Sequence, residues 1–257
     1  MTRRLILAML AAWAALPCLA TQVEVRGAVD AAGTRQLAAR ARLSDAALAA
    51  HVHLDAYFMG AAWLRPSLVV AQERQKAGLL FDLDSLQRQA TKEERDDLAQ
   101  LASTLSSWVK SMPATGRQVA LLDPRALEVK ASENWPVAEG DTLYYPRRPD
   151  TIHIVGAVAR TCTVAHVALQ DARSYLRDCP ASRYADADWI FVVEPDGRVF
   201  RQGIAPWNRS APLPLAPGST IVVPISEHRV SSVAPDLNTE LADFLATQPL
   251  PETTPQP

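Results

Sequence analysis

This chain of 257 residues has three cysteines, almost no net charge and no long apolar run outside its first twenty positions. Each shortage excludes something. A formal charge of −2 supplies no basic face for a nucleic acid backbone. Past the N-terminus, no apolar stretch reaches the roughly 20 residues that a membrane helix takes. No Walker or Rossmann phosphate loop occurs, and Ser44, Ser67 and the other serines stand outside any glycine elbow. No nucleophile triad or clustered carboxylate pair is legible. No cofactor and no catalytic residue are therefore expected.

The first twenty residues read as an address. Arg3 and Arg4 precede an apolar run from Leu5 to Leu16, Pro17 breaks it, and Cys18-Leu19-Ala20 offers small residues for cleavage after Ala20. A lipid anchor on Cys18 is the rival, and Pro17 and Ala15 fit it poorly. Cleavage would remove both arginines and leave two cysteines, Cys162 and Cys179. An even count in an exported chain permits a disulfide closing about 17 residues, which would add on the order of 3 kcal/mol. The other reading is two unpaired thiols.

What the chain does have is a sequence written twice. Val23-Glu-Val25-Arg-Gly27-Ala28-Val29 returns as Ile152-His-Ile154-Val-Gly156-Ala157-Val158. Trp135-Pro136-Val-Ala138-Glu-Gly140-Asp-Thr142-Leu-Tyr-Tyr-Pro146 returns as Leu213-Pro214-Leu-Ala216-Pro-Gly218-Ser-Thr220-Ile-Val-Val-Pro224. The first motif opens each unit and the second closes it, so the chain is expected to fold as two tandem domains. Alternation over Val23–Val29 and Ile152–Val158 predicts a strand ending in a glycine turn. A second strand is expected near 35–39 and 163–167. A short helix should open at Ser44-Asp45 in the first copy and near Asp171-Ala172 in the second, where Pro180 stops it. Trp189–Val193, a turn at Pro195-Asp196-Gly197 and Val199–Gln202 predict a hairpin, and Ser219–Pro224 a last strand.

The first unit is longer by roughly 45 residues. Ser67 to Gly78 has no interior breaker, and Thr91-Lys-Glu-Glu94 has the form of a capping box that would start a second helix. Leu98, Leu101, Leu105, Val109 and Met112 follow on one helical face before Pro113. A helical hairpin over about 66–112 is predicted. After the second unit, Asp236 is the expected N-cap of a short amphipathic helix carrying Leu237, Leu241, Phe244 and Leu245 on one side. A helix this short is marginal in water and needs a surface to lie on. The tail 249–257 is proline-rich and expected to be extended or disordered.

These doubled strands, the proline-glycine-x-threonine closing strands, the helical insertion and the terminal helix resemble the GfcC family of capsule biosynthesis proteins. The most telling stretch is Gly140-Asp141-Thr142-Leu143-Tyr-Tyr-Pro146-Arg147-Arg148-Pro149 running into Ile152–Val158. Asp196-Gly197, Trp207-Asn208 and Ala216-Pro217-Gly218 repeat the pattern in the second unit. The resemblance implies an α+β fold of two tandem β-grasp domains in the periplasm. These are similar to the soluble-ligand-binding (SLBB) β-grasp domains of Wza-type outer-membrane polysaccharide exporters. The boundaries implied are 1–20 signal peptide, 21–149 first domain, 150–229 second domain and 230–257 terminal helix and tail. Cys162 departs from the exporter pattern, where a proline or glycine turn is usual. At about 13 residues, or about 20 Å, the terminal helix falls short of a roughly 30 Å hydrocarbon core. A peripheral or docking role suits it better than a membrane-spanning one.

Two groups of residues invite chemistry. His51-Val-His53-Leu-Asp55 has the form of a metallo-hydrolase run, but Ala56 stands where a further histidine is usual, and only His153, His166 and His228 remain to converge. No metal is expected. Trp135, Tyr144, Tyr145 and Trp207, beside Arg147, Arg148, Asn208 and Arg209, are of the types that stack on sugar rings and bond their hydroxyls. Arg65, after Ala61-Ala-Trp63-Leu, is a lone charge beside an apolar stretch. The plainer reading makes Trp135 and Tyr145 core and the arginines a solvated linker. The resemblance thus implies a non-enzymatic accessory protein of capsule or exopolysaccharide assembly, touching the polymer, an outer-membrane exporter or both. A polysaccharide-modifying enzyme and a purely structural adaptor are the alternatives.

Overall fold

The computed structural model describes residues 20–252, so the expected signal peptide, but for Ala20, and the last five residues lie outside the described part. In the first unit β1 (Thr21–Gly27), β2 (Gly33–Leu37), α1 (Leu43–Ala50), β3 (Ala62–Leu64), α2 (Pro66–Lys92), α3 (Asp96–Ser111), β4 (Arg117–Gln118), α4 (Pro124–Val129) and β5 (Thr142–Tyr145) follow one another. The second has β6 (Thr151–Gly156), β7 (Cys162–Ala165), β8 (Trp189–Val193), β9 (Val199–Gly203) and β10 (Thr220–Val223), then α5 (Glu227–Val230) and α6 (Leu237–Ala246).

The duplication is visible in the topology. One sheet has the order β2-β1-β5-β3-β4, the other β7-β6-β10-β8-β9. In both, the opening strand runs antiparallel to its successor and parallel to the closing strand. Gly27 and Gly156 end the opening strands, each at φ 95°. A β-carbon there would lie 2.0 Å from the Tyr145 carbonyl oxygen or 2.2 Å from that of Val223. Only glycine admits both the positive φ and that approach.

Helix α1 buries Leu43, Ala46, Ala47 and Ala50, an i, i+3, i+4, i+7 set, against Val23, Val25 and Leu143. It stops at His51, whose φ of 52° is left-handed. The second copy has a 3-10 helix, Ala172–Asp178, in that place. Its buried Tyr175 donates its hydroxyl to the Val167 carbonyl at 3.1 Å and accepts from the Val167 amide at 2.8 Å. Cys179 follows and is bonded to Cys162 of β7, S–S 2.10 Å. The two thiols left open by the sequence are a disulfide.

The insertion is a two-helix hairpin, placed between β3 and β4 where the second unit has only the turn 195–197. Its start signal was misread. Thr91 lies inside α2, where its hydroxyl donates to the Gln87 carbonyl at 3.0 Å, and the break comes at Glu94 with φ 57°. The Thr91–Glu94 spacing is therefore the end of a 27-residue helix. The hairpin also packs away from its own sheet. Leu79, Leu83 and Leu86 of α2 and Leu98, Ala102, Leu105 and Val109 of α3 share one apolar core with Ile154, Val155 and Val222 of the second sheet. Leu237, Leu241, Phe244 and Leu245 of α6 are buried in that same core, on α2 and β8. The face expected to need a covering surface has one within the chain. Asp236 makes no side-chain cap; Asn238 instead ties α6 to both the amide and the carbonyl of Ile225.

Candidate functional site

Because the hairpin of the first unit lies on the second, β4 is brought against the β8–β9 turn. Arg117 opens β4 and is 7% exposed. Its guanidinium donates to the carbonyls of Ala246 at 3.2 Å, Gln248 at 3.0 Å, Ala61 at 3.4 Å and Pro195 at 2.5 Å. Ala246 ends α6, where carbonyls carry the negative end of the helix dipole, and Gln248 lies just beyond it. Burial lowers its pKa to about 10, which leaves it charged at neutral pH. Its Nε has no partner among the described residues.

Arg117 lines a cavity of about 450 Å³ with Trp108 of α3, Met112 just after it, His153 and Val155 of β6, and Glu194. Glu194 is 7% exposed and accepts from the Ser219 hydroxyl at 2.8 Å. Burial, more than its charged neighbours, holds its carboxyl above the ordinary range, and burial pushes the His153 imidazole down. The cavity therefore offers apolar walls, one fixed cation and two groups whose charged forms are disfavoured. Its outer wall is the segment after α6. There Leu250 reaches both units, Tyr144 donates its hydroxyl to the Pro251 carbonyl at 3.2 Å, and Arg26 meets Glu252 at 3.4 Å.

The residues singled out from the sequence are not gathered here. Arg65 lies 4.4 Å over the Trp63 ring and 3.6 Å from Asp141, which is 1% exposed and also accepts from the Trp63 indole at 2.8 Å. It offsets a buried carboxylate under the first sheet. Trp135 is 48% exposed, at the far end of the first unit where its carbonyl accepts from Leu43. Tyr144 is buried with its hydroxyl spent on the C-terminal segment. Tyr145 is core. Arg147 lines a shallow groove with Arg26 and Glu252, and Arg148 stands 5.9 Å over the ring of Tyr57. Trp207 is exposed on the second unit, and Asn208 builds the turn beneath it. His53 meets Asp30 at 2.8 Å, and no metal-sized cluster of ligands occurs among the described residues.

Sequence reading missed Arg117, Glu194 and Trp108. Arg117 follows Gly116, whose positive φ of 72° and backbone contact with Arg65 mark a close approach. That glycine was the one available signal.

Residues 22–148 match the family model described as "Capsule biosynthesis GfcC, N-terminal", and residues 160–249 match "Capsule biosynthesis GfcC C-terminal". A protein of Escherichia coli (strain K12), described as "Uncharacterized protein YjbG", is 30% identical over 191 residues, covering 73% of this chain and 77% of that protein.

Proposed function

Since the chain belongs to the capsule biosynthesis GfcC family, we propose that it is a non-enzymatic accessory protein of capsule or exopolysaccharide assembly, working in the periplasm. The two sheets are, in this reading, β-grasp domains of the kind polysaccharide exporters use. The N-terminal segment is a signal peptide removed after Ala20. The partners are the polymer, an outer-membrane exporter, or both.

The observation that carries the reading is the doubled sheet held as one body. Two copies of one unit, locked by a helical hairpin and by Arg117, present paired surfaces at a fixed spacing. That suits a protein that guides a repeating polymer or seats on a repeating exporter. The junction cavity, with a guanidinium at its floor, would take a polar or anionic group of such a partner. The α6 face lies in the core, so contact with lipid through it would require the helix to leave α2 and β8.

Deleting the gene and measuring polymer on the surface and in the periplasm tests the proposal. A fall in surface polymer with periplasmic polymer retained supports it. Two unchanged pools under capsule-producing conditions overturn it. An intact mass on periplasmic extract checks the cleavage site and the compartment together.

A further inference from the structure

The second unit carries an aromatic corner that the junction cavity does not use. Trp207 is 71% exposed, yet it is held in place. Its indole Nε1 donates to Asp188 Oδ1 at 3.2 Å. Beneath it Asn208 accepts from the Ala205 amide at 3.1 Å and donates to the Asp188 carbonyl at 3.0 Å. The Trp207 ring meets that of Trp189 at 6.5 Å and 88°, so the two indoles form a right angle. Arg201 lies 4.1 Å over the Trp189 ring. Leaving an indole in water forfeits the gain of burial, and here one hydrogen bond from the ring and two from Asn208 beneath it hold the corner. A stacking surface fixed before its ligand arrives loses little entropy on binding.

Beside the corner lies an open cleft of about 640 Å³, lined by Asp186, Asp188, Trp189, Glu227, His228 and Arg229. Asp188 belongs to both features: it lines the cleft and holds Trp207. Asp186 is committed to the backbone, accepting from the amides of Asp188 at 2.8 Å and Trp189 at 3.0 Å. The side chains of Glu227 and Arg229 make no ion pair or hydrogen bond among the described residues. Arg183, at the cleft's edge, is already paired with Asp97 of α3 at 2.7 Å.

We propose that the Trp189–Trp207 corner and its cleft bind uncharged pyranose units of a glycan chain. The proposal rests on the capsule reading and supplies its ligand chemistry. An indole face takes the CH face of a sugar ring, carboxylates accept from its paired hydroxyls, and a guanidinium donates to its oxygens. Three carboxylates, Asp186, Asp188 and Glu227, outnumber the two guanidiniums without an ion pair among the described residues, Arg201 and Arg229, so a uronate ring meets net repulsion where a neutral one does not. The volume falls within the roughly 300–1,000 Å³ of ordinary ligand clefts. Its polar lining offers no apolar slot for a peptide anchor residue.

The test is an array of bacterial glycans, uncharged and uronate-bearing, probed with the full chain and two variants. Trp207→Ala removes the platform, and Trp207→Phe keeps a ring while losing the bond to Asp188. The expected result is binding to a subset of uncharged glycans, weakened about tenfold or more by Trp207→Ala (about 1.4 kcal/mol) and less by Trp207→Phe, with circular dichroism unchanged. Binding untouched by Trp207→Ala, binding confined to uronates, or no glycan bound at all overturns the site. The same variants introduced into a deletion strain separate this proposal from the capsule reading. If deletion lowers surface polymer and Trp207→Ala restores it fully, the capsule role stands and the site falls. If deletion changes nothing while Trp207→Ala abolishes array binding, the site stands and the capsule role falls.

Discussion

Arg117, in the last strand of the first sheet, donates to the carbonyl of Pro195, in the hairpin turn of the second, at 2.5 Å. The two residues are far apart in sequence and meet only because the inserted helices lie on the second unit. The same guanidinium holds the end of α6, so one cation ties three parts of the chain.

Replacing it with methionine should therefore act on all three. Arg117→Met fills similar space and leaves four carbonyls without their donor, at a cost of about 3 kcal/mol. For a chain of this size that lowers the melting temperature by roughly 8 °C. Calorimetry measures the loss. Limited proteolysis should show faster cleavage between α6 and residue 252, since two of the four carbonyls, Ala246 at the end of α6 and Gln248 just beyond it, hold that segment. A variant that melts like wild type would show that the carbonyls find other donors.

Gly156 and Gly78 should respond to alanine in opposite directions. At Gly156, with φ 95°, a β-carbon would sit 2.2 Å from the Val223 carbonyl oxygen, so Gly156→Ala should cost about 3 kcal/mol or more. Gly78 lies within α2 with nothing inside 4 Å of the new carbon. There alanine should stabilise by about 0.5–1 kcal/mol through helix propensity. Urea melts of the two variants, compared at constant m-value, check both signs.

These glycines also show how much the sequence disclosed. Val23–Val29 and Ile152–Val158 were legible as copies because a closing carbonyl approaches Gly27 and Gly156 in the same way, and only glycine fits. The hairpin over β8 and β9 was legible because Asp196-Gly197 supplies its turn. Arg117 and Glu194 were not, since a single residue whose partners are distant backbone carbonyls or one serine leaves no periodicity to read. Thr91 misled because a threonine three residues before a glutamate has the same spacing inside a helix as at its start. Trp207 was picked out, but its partner Asp188 was not, because nothing in the spacing tells that an indole will bond it.

Joining Cys162 to Cys179 closes a 17-residue separation around the 3-10 helix of the second unit. Chain-entropy reasoning gives about 3 kcal/mol for a loop of that length. Replacing both residues with serine should lower stability by about that amount and leave the first sheet unaffected. An intact mass taken without reductant should be about 2 Da below the fully reduced value. A chain already at the reduced mass when isolated without reductant would contradict the bond.

Glu194 gives the second unit a defined pH response. Its carboxyl is raised in the fold by burial, so at a pH between the unfolded and folded values the folded state holds a proton that the unfolded state has released. The associated stability is fully present below the unfolded carboxylate value and is lost as pH rises through the folded one. Glu194→Gln is neutral throughout and lacks that dependence. The melting temperature of wild type relative to Glu194→Gln should therefore climb as pH falls from 7.5 toward about 4.5. A difference that stays flat across that range would mean that the carboxyl is not perturbed in the fold.

The C-terminal segment makes the last prediction. Leu250 is wedged between one glycine from each unit: a β-carbon on Gly60 would lie 2.5 Å from its Cδ1, and one on Gly218 would lie 2.9 Å from its Cδ2. Gly60 carries no positive φ, so what forbids a side chain there is crowding by Leu250, with the Tyr57 ring at 2.7 Å. Gly60→Ala alone should destabilise by about 2 kcal/mol, in the range of overpacking. Leu250→Ala alone should cost about 1–2 kcal/mol, because the leucine is only half-buried. The double variant removes the part of the clash made by Leu250 and leaves that with Tyr57, so its cost should fall short of the sum by about 1 kcal/mol, a coupling of the size expected for residues in contact. Strict additivity would place the segment off the junction in solution. A coupling of the expected sign would show that residues beyond α6 help to hold the two units together.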